Sequence, residues 1–221
     1  QIARDHLAST GQSAPDEAIE QFARYQVVSQ WVAQTKDIGQ ARGAMARALD
    51  WQRHLFAAGE VDAAGNIYLA GNFSVQTTLE LGGVTLNRMG TEDAWVAKLN
   101  PNGTVVWAKN YGGSGARAYG RGIAVDGSGN VYLGGYFDTA NLTTPALTKL
   151  GTVDAFALKL DSSGATTWAQ NYGGSGAKAY GYGIAVDGSG NVYFGGSFEV
   201  ANLTTPALTK IGSSDAFALK L

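Results

Sequence analysis

Residues 107–137 read WAKNYGGSGARAYGRGIAVDGSGNVYLGGYF, and residues 168–198 read WAQNYGGSGAKAYGYGIAVDGSGNVYFGGSF. These stretches open two longer segments, 107–160 and 168–221, which align without a gap and are identical at 44 of 54 positions. Every matched pair of residues lies 61 positions apart. A period of this kind indicates a fold built from successive copies of one supersecondary unit.

A third, diverged copy comes before these two. It is carried by Trp51, Gly65-Asn66-Ile67-Tyr68, Phe73 and Asp93-Ala94-Trp95, which occupy equivalent places in the repeat. The link after Trp51 is shorter than in the other copies, and the loop after Phe73 is slightly longer. The repeated region therefore covers residues 51–221.

Each copy divides into four short strand candidates. In the middle copy these cover about 119–126, 130–137, 155–160 and 165–171. The connections Asp126–Asn130 and Asp161–Gly164 consist of Asp, Gly, Ser and Asn, the residues that turn β-hairpins. Large and small side chains alternate along 155–160, which suits sheets that stack face to face.

The sequence therefore predicts a mostly β protein made of β-propeller blades, each a four-stranded antiparallel sheet. A β-solenoid would need a shorter period, and a β-sandwich would not repeat its sequence so closely. Phe156 and Phe217 stand between alanines in the third strand of their copies. We expect both phenylalanines to lie buried between neighbouring blades.

The composition fits many tight turns and excludes several classes of function. Of 221 residues, 31 are glycine, 45% are apolar and 15% are charged. A formal net charge of −2 offers no basic field for nucleic acid. Cysteine is absent, which excludes disulfides and thiolate metal sites. No apolar run approaches the roughly 18 residues of a membrane span, so none is expected.

Residues 1–50 differ in kind from the repeats. They are rich in Ala, Gln and Arg, and Ser13-Ala14-Pro15-Asp16-Glu17 has the composition of a helix N-terminus. Apolar residues follow at approximately helical spacing: Ile19, Phe22, Val28 and Val32, and then Ile38, Ala41, Met45 and Leu49. We predict a helical N-terminal segment, 1–50, ahead of the propeller repeats in 51–221.

Three motifs of the repeat resemble the SBBP family of bacterial β-propeller repeats. They are Trp-Ala-x-Asn-Tyr-Gly-Gly-Ser-Gly (107–115 and 168–176), Gly-Ile-Ala-Val-Asp-Gly-Ser-Gly-Asn-Val-Tyr (122–132 and 183–193) and Asp-Ala-Phe-Ala-Leu-Lys-Leu (154–160 and 215–221). The resemblance covers roughly 51–221. It implies a propeller in a bacterial protein that is extracellular or at the cell surface, and it transfers no catalytic residue.

The strand count leaves a propeller ring incomplete. One strand at Trp51, four in each of the next two copies and three in the last make twelve, or three blades' worth. A closed propeller needs about four blades. Two interpretations stay open: the chain is part of a longer repeat protein, or copies associate and the Trp51 strand fills the vacant outer position of a final blade. Met45 and Leu49 also allow a helix to continue through Trp51.

Two motifs of the repeat resemble ligand-binding loops in composition. Gly112–Gly120 is as rich in glycine as a phosphate-binding loop, but a strand follows it rather than a helix. We interpret it as the crossover between blades. Asp126-x-Ser128-x-Asn130 has the alternate oxygen spacing of a calcium loop, but it supplies one carboxylate and equally suits a hairpin turn.

The remaining candidates for chemistry do not assemble into a site. Asp93, Asp154 and Asp215 precede the third strand in every copy, and we expect them to cap backbone amides. The histidines, His6 and His54, lie outside the blades, so the repeats supply no Ser-His-Asp triad or metal cluster. We therefore predict no catalytic residue, no cofactor and no metal.

The end of the blades that carries the long loops is the best candidate for binding. In an up-and-down blade, the crossover and the long loop after the second strand emerge together, here 112–120 with 138–153 and 173–181 with 199–214. Basic and aromatic residues at these crossovers are Arg117, Tyr119, Arg121, Lys178, Tyr180 and Tyr182. Such groups stack on and hydrogen-bond glycans or peptides. Packing between blades is the alternative role for the tyrosines.

We accordingly predict a non-enzymatic propeller scaffold for assembly or adhesion outside the cytoplasm. Its expected partners are further propeller blades, supplied by other copies or by a longer parent chain. The alternative is a carbohydrate- or peptide-binding module that uses the long-loop end. Binding on a glycan or peptide array would favour the module, and a large assembly without a small ligand would favour the scaffold.

Overall fold

The computed structural model describes residues 56–74 and 77–221, and these residues form 17 β-strands and no helix. The prediction of a mostly β fold is confirmed for this part of the chain. The predicted helical segment, 1–50, and the predicted outer strand at Trp51 lie outside the described residues.

Blade 1 is a four-stranded antiparallel sheet between residues 56 and 111. In chain order its strands are β1 (Phe56–Val61), β2 (Ile67–Phe73), β3 (Thr78–Leu81), β4 (Val84–Asn87), β5 (Asp93–Leu99) and β6 (Val105–Tyr111). The sheet has the order β1-β2-β5-β6, and β3 with β4 forms a separate hairpin in the loop between β2 and β5.

Blade 2 repeats this plan. Its strands are β7 (Arg117–Val125), β8 (Val131–Asp138), β9 (Leu142–Thr143), β10 (Ala146–Leu147), β11 (Val153–Leu160) and β12 (Thr166–Tyr172). The sheet runs β7-β8-β11-β12, and the two-residue strands β9 and β10 form the loop hairpin. The four strands predicted for this copy are confirmed to within two residues at each end.

Blade 3 has the first three strands of the plan. They are β13 (Lys178–Val186), β14 (Val192–Glu199) and β17 (Ser214–Lys220), with the loop hairpin β15 (Leu203–Thr204) and β16 (Ala207–Leu208) between β14 and β17. Within the described part of the chain, no outer strand pairs with β17. The small loop hairpins of all three blades were not predicted, because strands of two to four residues are too short to show a clear periodicity in a sequence.

Neighbouring blades are joined by the same backbone contact. Glu92 of blade 1 bridges Arg117 of blade 2 in parallel, and Val153 of blade 2 bridges Lys178 of blade 3 in the same way. Both contacts lie where the third strand of one blade meets the first strand of the next. The three blades that the structure describes do not close into a ring.

Repeated aspartates shape the hairpin turns at the end of the blades opposite the long loops. Asp126 Oδ1 accepts hydrogen bonds from the amides of Ser128 and Asn130, both at 2.9 Å. Asp126 Oδ2 accepts from the Asn130 side chain at 2.8 Å and from the Tyr132 hydroxyl at 3.0 Å. Asp187 repeats this set, and its bond from the Asn191 side chain holds its pKa at about 2. These bonds confirm the hairpin-turn interpretation of the motif.

The aspartates before the third strands cap backbone amides, as predicted. Asp154 is fully buried and accepts from the amides of Leu150 at 2.6 Å and Gly151 at 2.8 Å. It also accepts from the Asn171 side chain at 2.7 Å, a partner on β12 that the sequence did not reveal. Asp93 makes the equivalent contacts, and Asp215 accepts from the amides of Ile211 and Gly212.

The hydrophobic core lies between the faces of adjacent blades. Phe156 is fully buried in a cluster with residues of blade 1 such as Tyr68 and Val96. Phe217 is 5% exposed and packs in a cluster with residues of blade 2 such as Tyr132 and Ala157. The predicted burial of both phenylalanines between blades is therefore confirmed.

Candidate functional site

The long loops and the crossovers meet at one end of the blades, as predicted. The Gly112 carbonyl accepts hydrogen bonds from the amides of Thr143 at 2.9 Å and Thr144 at 3.2 Å, so the crossover lies against the β9–β10 hairpin. Gly173 makes the equivalent bonds with Thr204 and Thr205. Gly112–Gly120 is thus a crossover that leads into a strand, as the sequence indicated.

The six predicted site residues all lie on strands, which corrects the expected placement of Arg117 and Lys178 in the crossovers. Arg117, Tyr119 and Arg121 belong to β7, and Lys178, Tyr180 and Tyr182 belong to β13. The strands begin at residues 117 and 178 because the parallel bridge to the preceding blade and the pairing with Asp138 or Glu199 extend them toward the long loops.

Four of these residues form a cluster with Tyr136 of β8, which we call the tyrosine–arginine cluster: Tyr119, Arg121, Tyr180 and Tyr182. The rings of Tyr119 and Tyr136 stack with centroids 4.7 Å apart, and Tyr136 meets Tyr180 edge-on at 5.1 Å. The Arg121 guanidinium lies 5.2 Å and 5.3 Å from the Tyr119 and Tyr136 ring centroids. It also donates to the Tyr136 hydroxyl at 3.0 Å.

Tyr136 is a site residue that the sequence reasoning missed. The signal was present, because the two copies differ at this position together with its neighbour: Arg121 and Tyr136 become Tyr182 and Ser197. The replacement pair is again in contact, with the Ser197 hydroxyl 3.3 Å from the Tyr182 hydroxyl. A paired difference between two nearly identical repeats identifies two residues that touch.

Arg117 and Lys178 are paired with acids across their strands. Arg117 makes a two-pronged contact with Asp138, at 2.8 Å and 2.9 Å, which raises the pKa of the arginine. The Lys178 ammonium lies 3.8 Å from the Glu199 carboxylate, an ion pair without a hydrogen bond. Lys178 is therefore bound less strongly to Glu199 than Arg117 is to Asp138.

A cavity of about 370 Å³ opens between blades 2 and 3 at the long-loop end, and we call it the blade 2–3 cleft. Its lining residues are Arg117, Asp138, Thr139, Lys149, Thr152, Val153, Lys178 and Tyr180. The lining has three cations and one carboxylate, so the cleft is positively charged. Thr139 is held at φ 67°, a left-handed conformation that β-branched residues rarely adopt.

The equivalent position between blades 1 and 2 is occupied by a carboxylate. Glu92 is 9% exposed and accepts a hydrogen bond from the Asn72 side chain. Burial, the negative charge of Glu92 and a hydrogen bond to Glu92 together raise the pKa of Tyr119 to about 12. Glu92 also contributes to the raised pKa of Arg117. This junction therefore contains an internal carboxylate beside a tyrosine and an arginine.

The outward face of blade 3 is the other candidate functional surface. We call the small residues and tyrosine on it the blade 3 outer face: Gly183, Ala185, Tyr193, Gly195, Ala216 and Ala218. Tyr193 is 45% exposed, whereas its copy in blade 2, Tyr132, is 2% exposed. The other residues of this face are likewise exposed or half-exposed.

Two further properties concern the described residues alone. They contain no group of three or more His, Asp or Glu side chains arranged to hold a metal ion. Residues 56–74 and 77–221 also contain no helix long and apolar enough to cross a membrane.

Comparison with known proteins identifies the repeat. The family model SBBP, described as a beta-propeller repeat, matches residues 106–137 and 167–197. An uncharacterized WD repeat-containing protein, L264, of Acanthamoeba polyphaga mimivirus is 27% identical over 157 residues, which cover 64% of this chain. The chain spans 11% of the length of that relative. The resemblance predicted from the sequence is confirmed, and this chain contains two SBBP beta-propeller repeats.

Proposed function

We propose that this chain is a non-enzymatic scaffold that docks a further blade of the same repeat on the blade 3 outer face. The propeller repeats and the relative described as a WD repeat-containing protein both favour a protein-interaction role. The observation that carries the proposal is the comparison of two copies of one surface, covered on blade 2 and uncovered on blade 3.

On blade 2, the surface is built to receive a neighbouring blade. Gly134 lies so close to blade 3 that an added Cβ would be 2.8 Å from the Phe194 ring. Ala155 and Ala157 are fully buried in the cluster that contains Phe194 and Phe217. Small residues on one blade thus receive large residues from the next.

On blade 3, the same surface has no neighbour among the described residues. Gly183 has no atom within 4 Å of an added Cβ, whereas its copy, Gly122, would have three atoms of blade 3 within 3.2 Å. The two surfaces carry the same residue types, so they favour the same occupant. That occupant is a blade that presents Ile or Leu and a pair of phenylalanines, as blade 3 does.

Two aromatic side chains of blade 2 support the addition of an outer strand to blade 3. The Tyr111 hydroxyl lies 3.5 Å from the Thr166 hydroxyl of the next blade, but its copy, Tyr172, has a buried hydroxyl without a partner in the described residues. The Trp107 indole donates to the Ser162 carbonyl of the next blade at 3.2 Å. Its copy, Trp168, has no such acceptor within the described ranges. Ser162 and Thr166 belong to the turn before β12 and to β12 itself, so their equivalents for Trp168 and Tyr172 belong to an outer strand added to β17.

The edge of β17 supports an added outer strand. In blade 2, β12 pairs with β11 so that Phe156 lies opposite Asn171 and the asparagine reaches the capping carboxylate of Asp154. In blade 3, Asp215 holds its two backbone amides without an asparagine donor among the described residues. An outer strand with Asn in this register completes the cap and the sheet edge.

The proposed cellular setting and the proposed non-enzymatic role rest on other observations. We propose a setting outside the cytoplasm because the SBBP resemblance implies bacterial proteins that are exported or at the cell surface. A non-enzymatic role is favoured because the repeated aspartates, such as Asp126 and Asp154, are engaged in turns and caps.

The test is to extend the chain after Leu221 with a duplicate of residues 161–221. This adds the outer strand of blade 3 and the first three strands of a fourth blade. We expect the melting temperature to rise by about 4 °C or more, since an extra interface stabilises a repeat array by more than about 1 kcal/mol. The Tyr193 ring should also become protected from surface labelling.

The matched control carries the same extension with the phenylalanine that corresponds to Phe217 replaced by aspartate. An extension that leaves the melting temperature and Tyr193 unchanged would refute the docking surface. The native mass of the unextended 23.0 kDa chain then tells whether a second copy supplies the blade. A monomer whose extended form is stabilised indicates a blade from a longer chain.

A second candidate function is the binding of a carbohydrate or peptide at the long-loop end. The blade 2–3 cleft and the tyrosine–arginine cluster favour it, because both place aromatic and cationic groups beside each other. Saturable binding on a glycan or peptide array tests this candidate.

A further inference from the structure

We propose that the blade 2–3 cleft binds the carboxylate of an acidic saccharide and encloses one or two of its sugar residues, at the position that corresponds to Glu92 between blades 1 and 2. The proposal does not depend on the docking of a further blade. It gives the second candidate function a site and a ligand class.

The two junctions between blades are structurally equivalent. Glu92 bridges Arg117 in parallel, and Val153 bridges Lys178 in the same register. The positions that follow are also copies, since Tyr119 and Tyr180 stand two residues after these cations. At this position the first junction has a glutamate and the second a valine, and Asn72, the partner of Glu92, is replaced by Tyr136 in the second.

In the first junction, the carboxylate is held by neighbouring groups of both blades. Glu92 accepts from the Asn72 side chain of blade 1, and its negative charge raises the pKa of Tyr119 and of Arg117 in blade 2. An internal carboxylate thus lies near a tyrosine and a cation.

In the second junction, the corresponding groups lack a carboxylate. Val153 cannot accept a hydrogen bond, and the Tyr180 hydroxyl has no hydrogen-bond partner in the part of the chain that the structure describes. The Lys178 ammonium is 3.8 Å from its acid, Glu199. A carboxylate that enters the cleft therefore meets a tyrosine hydroxyl and an ammonium group that are both available to bind it.

The other two cations of the cleft, Arg117 and Lys149, already have hydrogen-bond partners. We therefore expect them to contribute to the charge of the cleft and not to contact the ligand directly. Arg117 is bound on both prongs by Asp138, and the Lys149 ammonium donates to the Thr152 carbonyl at 2.7 Å. Three cations and one carboxylate line the cleft, and Glu199 lies beside Lys178, so these groups leave one net positive charge to attract an anion.

The rest of the lining favours a sugar over a peptide. Thr152 offers a hydroxyl, and the Thr139 hydroxyl, which donates to Asp138, still has lone pairs that can accept from a sugar hydroxyl. The lining has one aliphatic side chain, Val153, so it provides little apolar wall for a peptide side chain. A volume of about 370 Å³ is at the small end of ligand pockets, which suits one or two sugar residues.

Titration calorimetry of the full 221-residue chain with trigalacturonate tests the proposal. We expect saturable binding that weakens as salt is raised, because the contact is between charges. Maltotriose, which is neutral and of similar size, should not bind detectably. Triglutamate distinguishes the source of the carboxylate: tighter binding of this peptide than of the saccharide would overturn the saccharide assignment.

Val153→Glu places in the cleft the carboxylate that the first junction already has. We expect it to weaken trigalacturonate binding by about tenfold or more, which corresponds to loss of one charged contact. Ser214→Glu is the matched control, since Ser214 is the exposed copy of the same position and adds the same charge. Equal weakening by both variants would overturn the cleft assignment, because general charge would then explain the effect.

Lys178→Gln and Tyr180→Phe keep the test decisive if Val153→Glu does not fold. Each should weaken binding by about tenfold while the circular dichroism spectrum stays unchanged. Unchanged affinity in both variants, or no binding of trigalacturonate up to about 10 mM, would refute the proposal. Neither result would bear on blade docking, which the chain extension measures separately.

Discussion

Blades 2 and 3 carry nearly the same sequence, but among the described residues blade 2 is covered on both faces and blade 3 on one. Tyr132 is 2% exposed where Tyr193 is 45% exposed, and Ala155 and Ala157 are buried where Ala216 and Ala218 are exposed. The residues do not differ, so the difference in burial comes from the presence of a neighbour. In a repeat protein, the environment of a residue depends on the position of its copy in the array.

The largest expected difference between the blades concerns the third-strand phenylalanines. Phe156→Ala should lower the free energy of unfolding by about 5 kcal/mol and Phe217→Ala by about 3 kcal/mol, since the cavity left at the open blade collapses more easily. Urea denaturation of both variants measures this. An equal or reversed order would contradict the view that blade 3 packs on one side.

The capping aspartates should show the next largest difference. Asp154→Ala leaves the Leu150 and Gly151 amides and the Asn171 side chain without their acceptor, at a cost of about 3 kcal/mol. Asp215→Ala should cost clearly less, because its amides are exposed to water. Thermal denaturation of the two variants compares them, and a larger loss for Asp215→Ala would be incompatible with this account.

Paired glycines provide a more sensitive comparison. At Gly134 an added Cβ would lie 2.8 Å from the Phe194 ring, whereas at Gly195 its nearest neighbour is 3.7 Å away. Gly134→Ala should therefore cost about 1–3 kcal/mol, and Gly195→Ala should stay within about 0.5 kcal/mol of the parent. Urea midpoints measure both. A substantial loss at Gly195 would mean that a neighbour already covers the blade 3 outer face.

The smallest effect is the pH dependence of the junction between blades 1 and 2. The pKa of Tyr119 is about 12 when folded, against 10 for an ordinary tyrosine, so the folded state retains its proton more strongly. This contribution to stability is complete below pH 10 and is lost as the pH rises toward 12. The difference in stability between the parent and Tyr119→Phe, measured along that range, checks it.

Glu92→Gln sharpens this prediction. Removing the negative charge should lower the pKa of Tyr119, because Glu92 is one of the groups that raise it. Tyrosinate absorbance would then increase at lower pH than in the parent. Unchanged absorbance would show that Glu92 does not act on this tyrosine.

The strands, hairpin turns and caps could be predicted because their signals are local. The turn at Asp126 depends on residues within six positions, and the alternation along 155–160 reports which side chains face a neighbour. Because the two copies are nearly identical, they can be aligned residue by residue. The capping role predicted for Asp154 therefore also applies to Asp215. The family resemblance followed from the same motifs.

The site could be predicted only in part. The basic and aromatic residues of β7 and β13 were identified, but their contacts with Tyr136, Glu92 and Lys149 depend on how one blade meets the next. A parallel bridge such as that of Val153 with Lys178 leaves no trace in the spacing of a sequence. The cleft between blades 2 and 3 could therefore be identified only from the structure, which gives the register of the two strands.

The backbone contacts between blades lie at one end of the blades. This affects how the protein unfolds locally. Among the described residues, the ladder hydrogen bonds of each sheet close within its own blade, apart from the bridges at Glu92 and Val153 and those of the crossover residues Gly112 and Gly173. A blade can then detach without breaking the sheet of its neighbour, so cooperativity passes through side-chain packing. Amide protons of β13, β14 and β17 should exchange with solvent faster than those of β7, β8 and β11, and opening proceeds from the blade with one neighbour.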